Sequence, residues 1–325
     1  MRHLLLLAIS ALISVSAEAT ADTIRVGSWN IQDLHHEEGF NLRSFDDIPS
    51  VKRTSQDFAL LEKYRDLFGR NGAPADVIAL QEIGTKAALE RLFPTDAYET
   101  IMSPRWQNDD APAGEGDVYT AIAVRKESGV TVVQHDPFPE LAVLHSDGRP
   151  TRAGTGALLE VDGKQFWFLS VHLKSSCPAN KNIHVSSNDD CQTLWKQTPI
   201  LADWVKAKRD SGIPLIIAGD FNRRFRQLNF EGTLWEAMNG VGPDDPIEEA
   251  WVVPHPQTVT RLCPTRKGSG TQPIDWIVLD STLAGGFVQG SFWERRFTQA
   301  DIDAAQFGRG LSDHCPISID LDLAG

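Results

Sequence analysis

Apolar residues in this chain cluster into short runs rich in β-branched side chains, which is the pattern of strands buried in a sheet. The runs occupy residues 23–29, 76–80, 119–124, 156–161, 165–171, 215–218 and 315–321. Many of them border amides, carboxylates or imidazoles. Because the ends of neighbouring strands meet at one edge of a sheet, we expect these polar side chains to converge on one place.

Between the runs, apolar residues recur at helical spacing in residues 56–68 and 199–208. Pro199 either starts the second helix or kinks a longer one. Helices interspersed with consecutive strands predict mixed sheets rather than an all-parallel sheet. The expected fold class is therefore α/β, with two face-packed mixed β-sheets flanked by helices and with polar loops gathered at one end.

The first residues are typical of an export signal. A positively charged start precedes the apolar run 4–15, which is too short to span a bilayer, and small residues follow around Ala19 and Ala21. No later stretch is apolar enough for a membrane helix. We therefore predict a signal peptide at 1–21, a single domain at 22–325, and an exported protein that is periplasmic or extracellular.

Four cysteines in an exported chain predict disulfides rather than free thiols. The favoured pairs are Cys177 with Cys191 and Cys263 with Cys315, although the other connectivities remain open. The first pair would close a polar loop. A zinc site is disfavoured, because no Cys-x-x-Cys spacing occurs.

The hydrophobic content of 41% and the charged content of 23% are ordinary for a globular protein. The net charge of -13 argues against a protein that coats polyanions, since neutralising phosphates needs clustered Lys and Arg. Residues 149–226 hold more basic than acidic side chains. That excess indicates either one basic face or the ordinary variation of a solvated surface.

Hard oxygen ligands lie beside several of the apolar runs. Asn30, Glu82 and Asp313 would supply a shell suited to Mg²⁺ or Mn²⁺, with Ca²⁺ as an alternative structural ion. Hydrolysis of a phosphate ester needs a positioned water, neutralised charge and a stabilised leaving oxygen. These residues therefore predict a metal-dependent phosphoesterase.

Asp220 and Asn222 flank Phe221, so on an extended segment both polar side chains point to one face. Asp220 is the candidate for aligning and deprotonating the attacking water, and Asn222 for polarising a phosphoryl oxygen or orienting that water. The alternative is an ordinary Asx turn. The apolar run at 215–218 that precedes the pair makes this alternative less favoured.

Two histidines are candidates for contacting a phosphoryl oxygen. His172 ends an apolar run and His314 adjoins Asp313, and either imidazole could donate a hydrogen bond when protonated. Taken singly, each is more often a structural histidine than a functional one. Asp275 begins another apolar run, where a buried carboxylate needs a partner. Pairing with His314 would meet that need and raise the pKa of the imidazole.

Six motifs, in order, resemble the endonuclease/exonuclease/phosphatase family across essentially the whole mature chain. They are Ser-Trp-Asn-Ile at 28–31, Ala-Leu-Gln-Glu-Ile at 79–83, Ser-Val-His-Leu-Lys at 170–174, Gly-Asp-Phe-Asn at 219–222, Ile-Asp-Trp at 274–276 and Leu-Ser-Asp-His-Cys-Pro at 311–316. The resemblance implies a four-layer α/β sandwich with the site at the sheet ends.

The resemblance also implies a role for each polar residue. The expected metal ligands are Glu82, Asn30 and Asp313. The residues expected at the scissile phosphate or its nucleophile are His172, Asn222, His314, Asp220 and, orienting His314, Asp275. The family often has one more acidic or tyrosine residue near the middle of the chain, and Asp117 or Tyr119 could fill that position.

The basic and aromatic cluster Arg223, Arg224, Phe225 and Arg226 follows the proposed catalytic pair. Such a cluster could grip flanking phosphates and stack a base, or it could be a charged turn. Further candidate substrate contacts are Arg149 and Arg152. Export, paired cysteines and acidity resemble the pancreatic-type deoxyribonucleases, so we expect a secreted nuclease, either endonuclease or exonuclease, that acts on DNA or RNA as a monomer.

Other functions remain open at this point. The main alternatives are a lipid phosphodiesterase resembling bacterial sphingomyelinases and a small-molecule phosphatase. Aromatic segments for docking on a lipid surface would be 251–253 or 292–293, which are short and flanked by charge, and no stable membrane insertion is expected. A non-catalytic binding module is disfavoured, because every expected polar position is filled.

Overall fold

The computed structural model describes residues 23–42, 51–106, 118–178, 183–225, 233–238, 251–252, 273–305 and 310–323. Within these residues, the first sheet has the strand order β11-β12-β1-β2-β4-β3. Its strands are β1 (Thr23–Leu34), β2 (Val77–Ile83), β3 (Tyr98–Met102), β4 (Tyr119–Arg125), β11 (Trp293–Glu294) and β12 (Ile317–Asp322).

The second sheet has the order β5-β6-β7-β8-β10-β9. Its strands are β5 (Thr131–Phe138), β6 (Gly154–Val161), β7 (Lys164–His172), β8 (Leu215–Asp220), β9 (Trp251–Val252) and β10 (Asp275–Asp280). Each sheet has a parallel pair at its centre, β1 with β2 and β7 with β8, and the other described neighbours are antiparallel. The prediction of mixed sheets is confirmed.

The helices cover the outer faces of the sheets. They are α1 (Ser55–Asp66), α2 (Lys86–Leu92), α3 (Asp189–Asp210), α4 (Thr233–Met238) and α5 (Gln299–Ala304). Asn188 caps the start of α3 by accepting a hydrogen bond from the backbone N–H of Cys191, so this helix begins ten residues before Pro199. Pro199 therefore lies inside a longer helix and does not start one.

Three apolar clusters separate the layers. The central one lies between the sheets and includes Val26, Phe168 and Ile319. A second cluster, around Phe58, packs α1 and α2 on the first sheet, and a third, around Leu201, packs α3 on the second sheet. Helices, sheet, sheet and helix thus form the four-layer sandwich that was expected, and they hold the sheet ends rigidly side by side.

Strand β1 runs further than its apolar pattern indicates. β1 continues past residue 29 to Leu34, and its pairing with β2 shifts register between Asn30 and Leu34. In this stretch Gln32 and Asp33 have φ angles of 51° and 52°, the left-handed region that side chains other than glycine rarely adopt. The polar end of β1 is therefore a bulged strand and not a loop.

A disulfide joins Cys177 to Cys191, as predicted, with 4.7 Å between the Cα atoms. It ties the loop after β7 to the first turn of α3. Cys315 is also disulfide-bonded, while its predicted partner Cys263 lies outside the described residues. So does the predicted signal peptide at 1–21. Among the residues that are described, no helix is both long and apolar enough to cross a membrane.

Candidate active site

Strand pairing places three predicted residues side by side at one end of the second sheet. His172 and Asp220 are register partners on the parallel strands β7 and β8. Asp275, the first residue of the antiparallel strand β10, is the partner of Asp220 on its other side. All three side chains are buried. The separate apolar runs of the sequence therefore meet at one point, with Asp220 in the middle.

The polar atoms of this group are close enough to interact. His172 Nε2 lies 3.5 Å from Asp220 Oδ2, and His314 Nε2 lies 3.9 Å from the same oxygen. The other nitrogen of His314, Nδ1, is 2.7 Å from Asp275 Oδ2, which is a strong hydrogen bond. The predicted partnership of Asp275 and His314 is thus present in the structure, and it fixes the orientation of the imidazole.

Asn222 lies just beyond β8, in a left-handed conformation with a φ of 52°. Its backbone N–H donates to Asp220 Oδ1 at 2.9 Å, and its side-chain amide donates to the carbonyl of Leu173 at 3.0 Å. The Asp220 to Asn222 segment therefore contains an Asx-type hydrogen bond. This turn holds Oδ1 of Asp220 and leaves Oδ2 directed at the histidines.

The first sheet contributes the other half of the group. Asn30 Nδ2 donates to Asp220 Oδ2 at 3.2 Å, and Glu82 Oε1 lies 3.9 Å from His172 Nε2. Asp313 Oδ1 lies 3.8 Å from His314 Nε2. The Asn30 and Glu82 contacts cross from one sheet to the other, so the site is formed only when the two sheets are packed together.

The bulged end of β1 gathers the three predicted metal ligands. Gln32 is central to it: its backbone N–H donates to Asn30 Oδ1 at 3.0 Å, and its side-chain oxygen accepts from the backbone N–H of Asp313 at 3.1 Å. The backbone N–H of Asp33 donates to Glu82 Oε2 at 3.2 Å. Glu82 itself has a φ of 58°. The distorted backbone thus replaces ordinary strand pairing at this edge.

Burial and neighbouring charges shift the ionisation of the two central groups. Burial, together with the nearby carboxylate of Asp275, raises the pKa of Asp220 to about 7, against the opposing effect of His314. Burial alone would lower the pKa of His314, but the carboxylates of Asp275, Asp220 and Asp313 outweigh it and raise that pKa well above 6.5. A protonated imidazole beside a carboxylate of near-neutral pKa suits acid–base chemistry.

Asn30, Glu82 and Asp313 fit a hard divalent cation. They offer amide and carboxylate oxygens, which Mg²⁺ and Mn²⁺ prefer, and the contacts to Gln32 and Asp33 hold all three around one turn of backbone. These three residues would therefore hold the metal ion that the family resemblance implies.

A second set, Asp220, Asp275 and His314, also has potential ligand atoms within 4.8 Å of one another. His314 would have to be neutral to bind a metal, whereas its raised pKa keeps it protonated at neutral pH, and its Nδ1 is already bonded to Asp275. We therefore assign this set to proton handling and the oxygen-only set to the metal.

The arginines predicted to contact substrate differ in their exposure to solvent. Arg223 is only 3% exposed, and it donates to the carbonyl of Pro178 at 3.3 Å, so it does not offer a surface guanidinium. Arg149 is exposed but bonds Asp147 at 2.6 Å. Arg224 and Arg152 are half-buried. The cluster that the sequence presents as one basic patch is divided, because Arg223 and Phe225 are buried whereas Arg224 is half-buried.

Of the two additional candidates near the middle of the chain, the described residues include Tyr119. Tyr119 is the first residue of β4 and is half-buried. Its register partner on β2 is Ile83, the residue that follows Glu82. Asp117 and Arg226 lie outside the described residues.

Two residues of this region were missed by the sequence analysis, namely Gln32 and Arg53. Gln32 follows the Ser-Trp-Asn-Ile motif directly, so its position beside a ligand was a usable signal. Arg53 lies 23 positions after Asn30 along the chain, in no motif, and is buried with four hydrogen bonds to backbone carbonyls. Only the tertiary structure brings it to this site.

The sequence profile described as the endonuclease/exonuclease/phosphatase family matches residues 27–314. The chain belongs to this family, whose members hydrolyse phosphoester bonds and are generally metal-dependent. The resemblance drawn from the motifs is therefore confirmed. No curated protein matches the chain by sequence.

Solved structures share the fold at low identity. An endonuclease/exonuclease/phosphatase protein from Bacteroides vulgatus is 14% identical, with 93% of this chain and 99% of that chain covered and a TM-score of 0.59. TDP2 of D. rerio, complexed with a single-strand DNA product, is 17% identical over 92% and 98%, with a TM-score of 0.56. A mannosyl-6-phosphatase of Bacteroides thetaiotaomicron is 14% identical over 91% and 98%, with a TM-score of 0.51.

Proposed function

We propose that the protein is an exported, metal-dependent phosphodiesterase that cleaves nucleic acid. The observation that carries the proposal is the position of Asp220, whose Oδ2 faces His172, His314 and the amide of Asn30. A carboxylate surrounded by hydrogen-bond donors and lying next to an oxygen-rich metal shell is the arrangement that in-line attack of water on a phosphate requires.

Asp220 aligns the attacking water and accepts its proton. A pKa near 7 is well matched to this task, since a base works best when its pKa lies close to the working pH. The hydrogen bond from the backbone of Asn222 leaves one carboxylate oxygen available for the water. When bound to Asn30, Glu82 and Asp313, the metal supplies Lewis-acid polarisation of the phosphate and charge neutralisation at the leaving oxygen.

The histidines stabilise charge on the phosphoryl oxygens. His314, protonated and oriented by Asp275, donates from Nε2 toward the centre of the site. His172 lies between Glu82 and Asp220 and presents its Nε2 to the same space. Preorganised donors of this kind are most effective when water is excluded, and His172 is only 2% exposed.

Nucleic acid is the preferred substrate class because a fold neighbour of this chain, TDP2 of D. rerio, is complexed with single-strand DNA. Arg224 and Arg152, which are half-buried rather than enclosed, are the cations we assign to flanking phosphates. Export of the chain is part of the proposal, and the Cys177–Cys191 disulfide supports it, since such bonds persist in oxidising compartments.

Hydrolysis of a small phosphomonoester is the second candidate. It is favoured by the burial of Arg223 and by the ion pair between Arg149 and Asp147, which remove two cations that a polymer would use. The mannosyl-6-phosphatase neighbour shows that this fold also serves a sugar phosphate.

A lipid substrate has less support. Phe292 and Trp293 are partly buried, and the guanidinium groups of Arg70 and Arg295 lie 5.7 Å and 5.3 Å from the Trp293 ring centre. These aromatic side chains are therefore engaged by the protein and do not form an exposed docking surface among the described residues.

The test is a parallel assay of residues 22–325 with Mn²⁺, with Mg²⁺ and with chelator, on plasmid DNA, RNA, sphingomyelin vesicles and p-nitrophenyl phosphate. The Asp220→Asn variant sets the background for contaminating nucleases. We expect metal-dependent degradation of nucleic acid that the variant lacks. Turnover of the monoester or the lipid alone would overturn the substrate assignment, and equal activity with chelator would overturn the metal role.

A further inference from the structure

A buried arginine lies beneath the metal-binding end of β1. Arg53 is 3% exposed, and its guanidinium donates to the backbone carbonyls of Ile31 at 2.6 Å, Gln32 at 2.8 Å and Asp33 at 3.1 Å. It also donates to the carbonyl of Gly310 at 2.9 Å. One side chain thus satisfies four backbone oxygens, three of which belong to the bulge where strand pairing fails.

The two backbone segments that Arg53 joins are those that carry predicted metal ligands. The three carbonyls on β1 follow Asn30 directly, and Gly310 opens the segment that leads to Asp313. These segments are connected a second time, because Gln32 accepts from the backbone N–H of Asp313 and Ser312 Oγ donates to the carbonyl of Asn30. Arg53 therefore holds the base of the oxygen-rich shell together.

Arg53 is also a buried cation among the carboxylates of this region. Burial lowers its pKa to about 10, while Asp33, Asp57, Glu82 and Asp313 act in the opposite direction, so the guanidinium is charged at neutral pH. Carboxylates gathered for a metal repel one another before the metal arrives. A fixed positive charge behind them offsets that repulsion.

The position of Arg53 is itself fixed by the start of α1. Thr54 is the N-cap of this helix, and Asp57 closes a capping box by accepting from the backbone N–H of Thr54 at 2.7 Å. Gly310 packs so closely on Asp57 that a side chain at position 310 would overlap the carboxylate. The arginine therefore sits on a rigid helix end and not on a free loop.

We propose that Arg53 is a positioning residue for the metal site, which shapes the bulged end of β1 and the segment before Asp313 so that Asn30, Glu82 and Asp313 are preformed to bind the ion. This inference rests on the proposed function, because it takes these residues as the metal ligands. Arg53 does not touch substrate, and its effect is expected on metal affinity.

The experiment is calorimetric titration of Mn²⁺ into the wild-type chain and the Arg53→Lys variant. Lysine keeps the charge but loses the planar fork that spans several carbonyls. We expect Mn²⁺ affinity to fall about 10- to 100-fold, as when the groups that orient metal ligands are removed. The rate at saturating Mn²⁺ should recover most of its wild-type value, which a general loss of structure would not allow.

The matched control is Arg25→Lys at the opposite end of the same strand, about 17 Å from Asn30. Arg25 is likewise largely buried, bonds Asp320 at 2.7 Å and donates to the carbonyls of Ala73 and Pro74. Its replacement should lower the melting temperature and leave Mn²⁺ affinity unchanged.

A second variant, Gln32→Ala, keeps Arg53 and removes the bond to the backbone of Asp313. It should weaken Mn²⁺ binding about 3- to 10-fold, the worth of one hydrogen bond, and it decides the question if Arg53→Lys does not fold. Unchanged affinity in a folded Arg53→Lys chain would overturn the inference alone. If that chain does not fold, unchanged affinity in Gln32→Ala would overturn it, because the link between the β1 bulge and the segment before Asp313 would then not govern Mn²⁺ binding. A wild-type chain that binds no Mn²⁺ would overturn the proposed function as well.

Discussion

The two sheets bring their side chains to the active site by different means. In the second sheet, His172, Asp220 and Asp275 are register partners on regular strands. In the first sheet, the pairing shifts after Asn30, and Glu82 has a φ of 58°. Where strand pairing places a group, the sheet itself holds it. Where the backbone is distorted, contacts from outside the sheet must do so.

This structural difference parallels a division of chemistry. The regular strands of the second sheet carry Asp220 and His172, which we assign to the water and the phosphate, and the distorted ends of the first sheet carry the residues assigned to the metal. His314, also assigned to the phosphate, lies before β12 and is oriented by Asp275 on the second sheet. Variants on the two sides should therefore fail in different ways, the first in rate at saturating metal and the second in metal affinity.

The largest expected effect is that of Asp220→Asn. The amide cannot accept the proton of the attacking water, so the rate at saturating Mn²⁺ should fall about 10²- to 10⁴-fold. Steady-state assays on the best substrate measure it, with Asp203→Asn, an exposed position on α3, as the control. A variant that retains wild-type turnover would show that Asp220 is not the base and would remove the main role of the second sheet.

Loss of the Cys177–Cys191 disulfide should affect stability instead of chemistry. The bond closes a loop with a sequence separation of 14, and opening such a loop costs about 2–4 kcal/mol of unfolding free energy. Urea denaturation of the Cys177→Ser/Cys191→Ser double variant measures this cost. Metal affinity should stay unchanged, because both cysteines pack in the apolar cluster between the second sheet and α3. A large drop in affinity would show that metal binding does not depend on the first sheet alone.

Glu82→Gln should raise the Mn²⁺ concentration needed for half-maximal rate by about 10- to 100-fold, since one charged ligand is lost while the shape of the side chain is kept. The dependence of the rate on Mn²⁺ concentration measures the shift, and high Mn²⁺ should restore much of the activity. Glu99→Gln, at an exposed position on β3, is the control. A variant whose rate stays low at every Mn²⁺ concentration would place Glu82 in the chemistry and not in metal binding.

Arg149→Ala should have the smallest effect, less than about twofold on the rate. The side chain is 73% exposed and paired with Asp147, and exposed ion pairs contribute little. Comparison of the specificity constants for DNA in wild type and variant, at two salt concentrations, checks this. A clear loss of the specificity constant that grows at low salt would show that Arg149 contacts the substrate.

Sequence reasoning located the regular side of the site well. The apolar runs that end at His172 and Asp220 and begin at Asp275 predicted strands whose ends converge, and pairing in register places them together. The pattern also predicted the α/β sandwich and the Cys177–Cys191 bond. Such features depend on periodicity and local spacing, which can be read directly from the sequence.

The distorted side was harder to predict. Nothing in the sequence indicates that β1 bulges after Asn30, because positive φ at Gln32 and Asp33 follows from tertiary contacts and not from glycine. Arg53 and Arg223 show the same limit, since an arginine in a sequence is expected at the surface. Both are buried because backbone carbonyls accept their hydrogen bonds.

The division between the sheets is tested most directly by titrating Mn²⁺ calorimetrically into wild type, Glu82→Gln and Asp220→Asn under the same conditions. We expect clearly weaker binding for Glu82→Gln and binding close to wild type for Asp220→Asn. The reverse order would contradict this division, because the ion would then be held by the cluster of Asp220, Asp275 and His314.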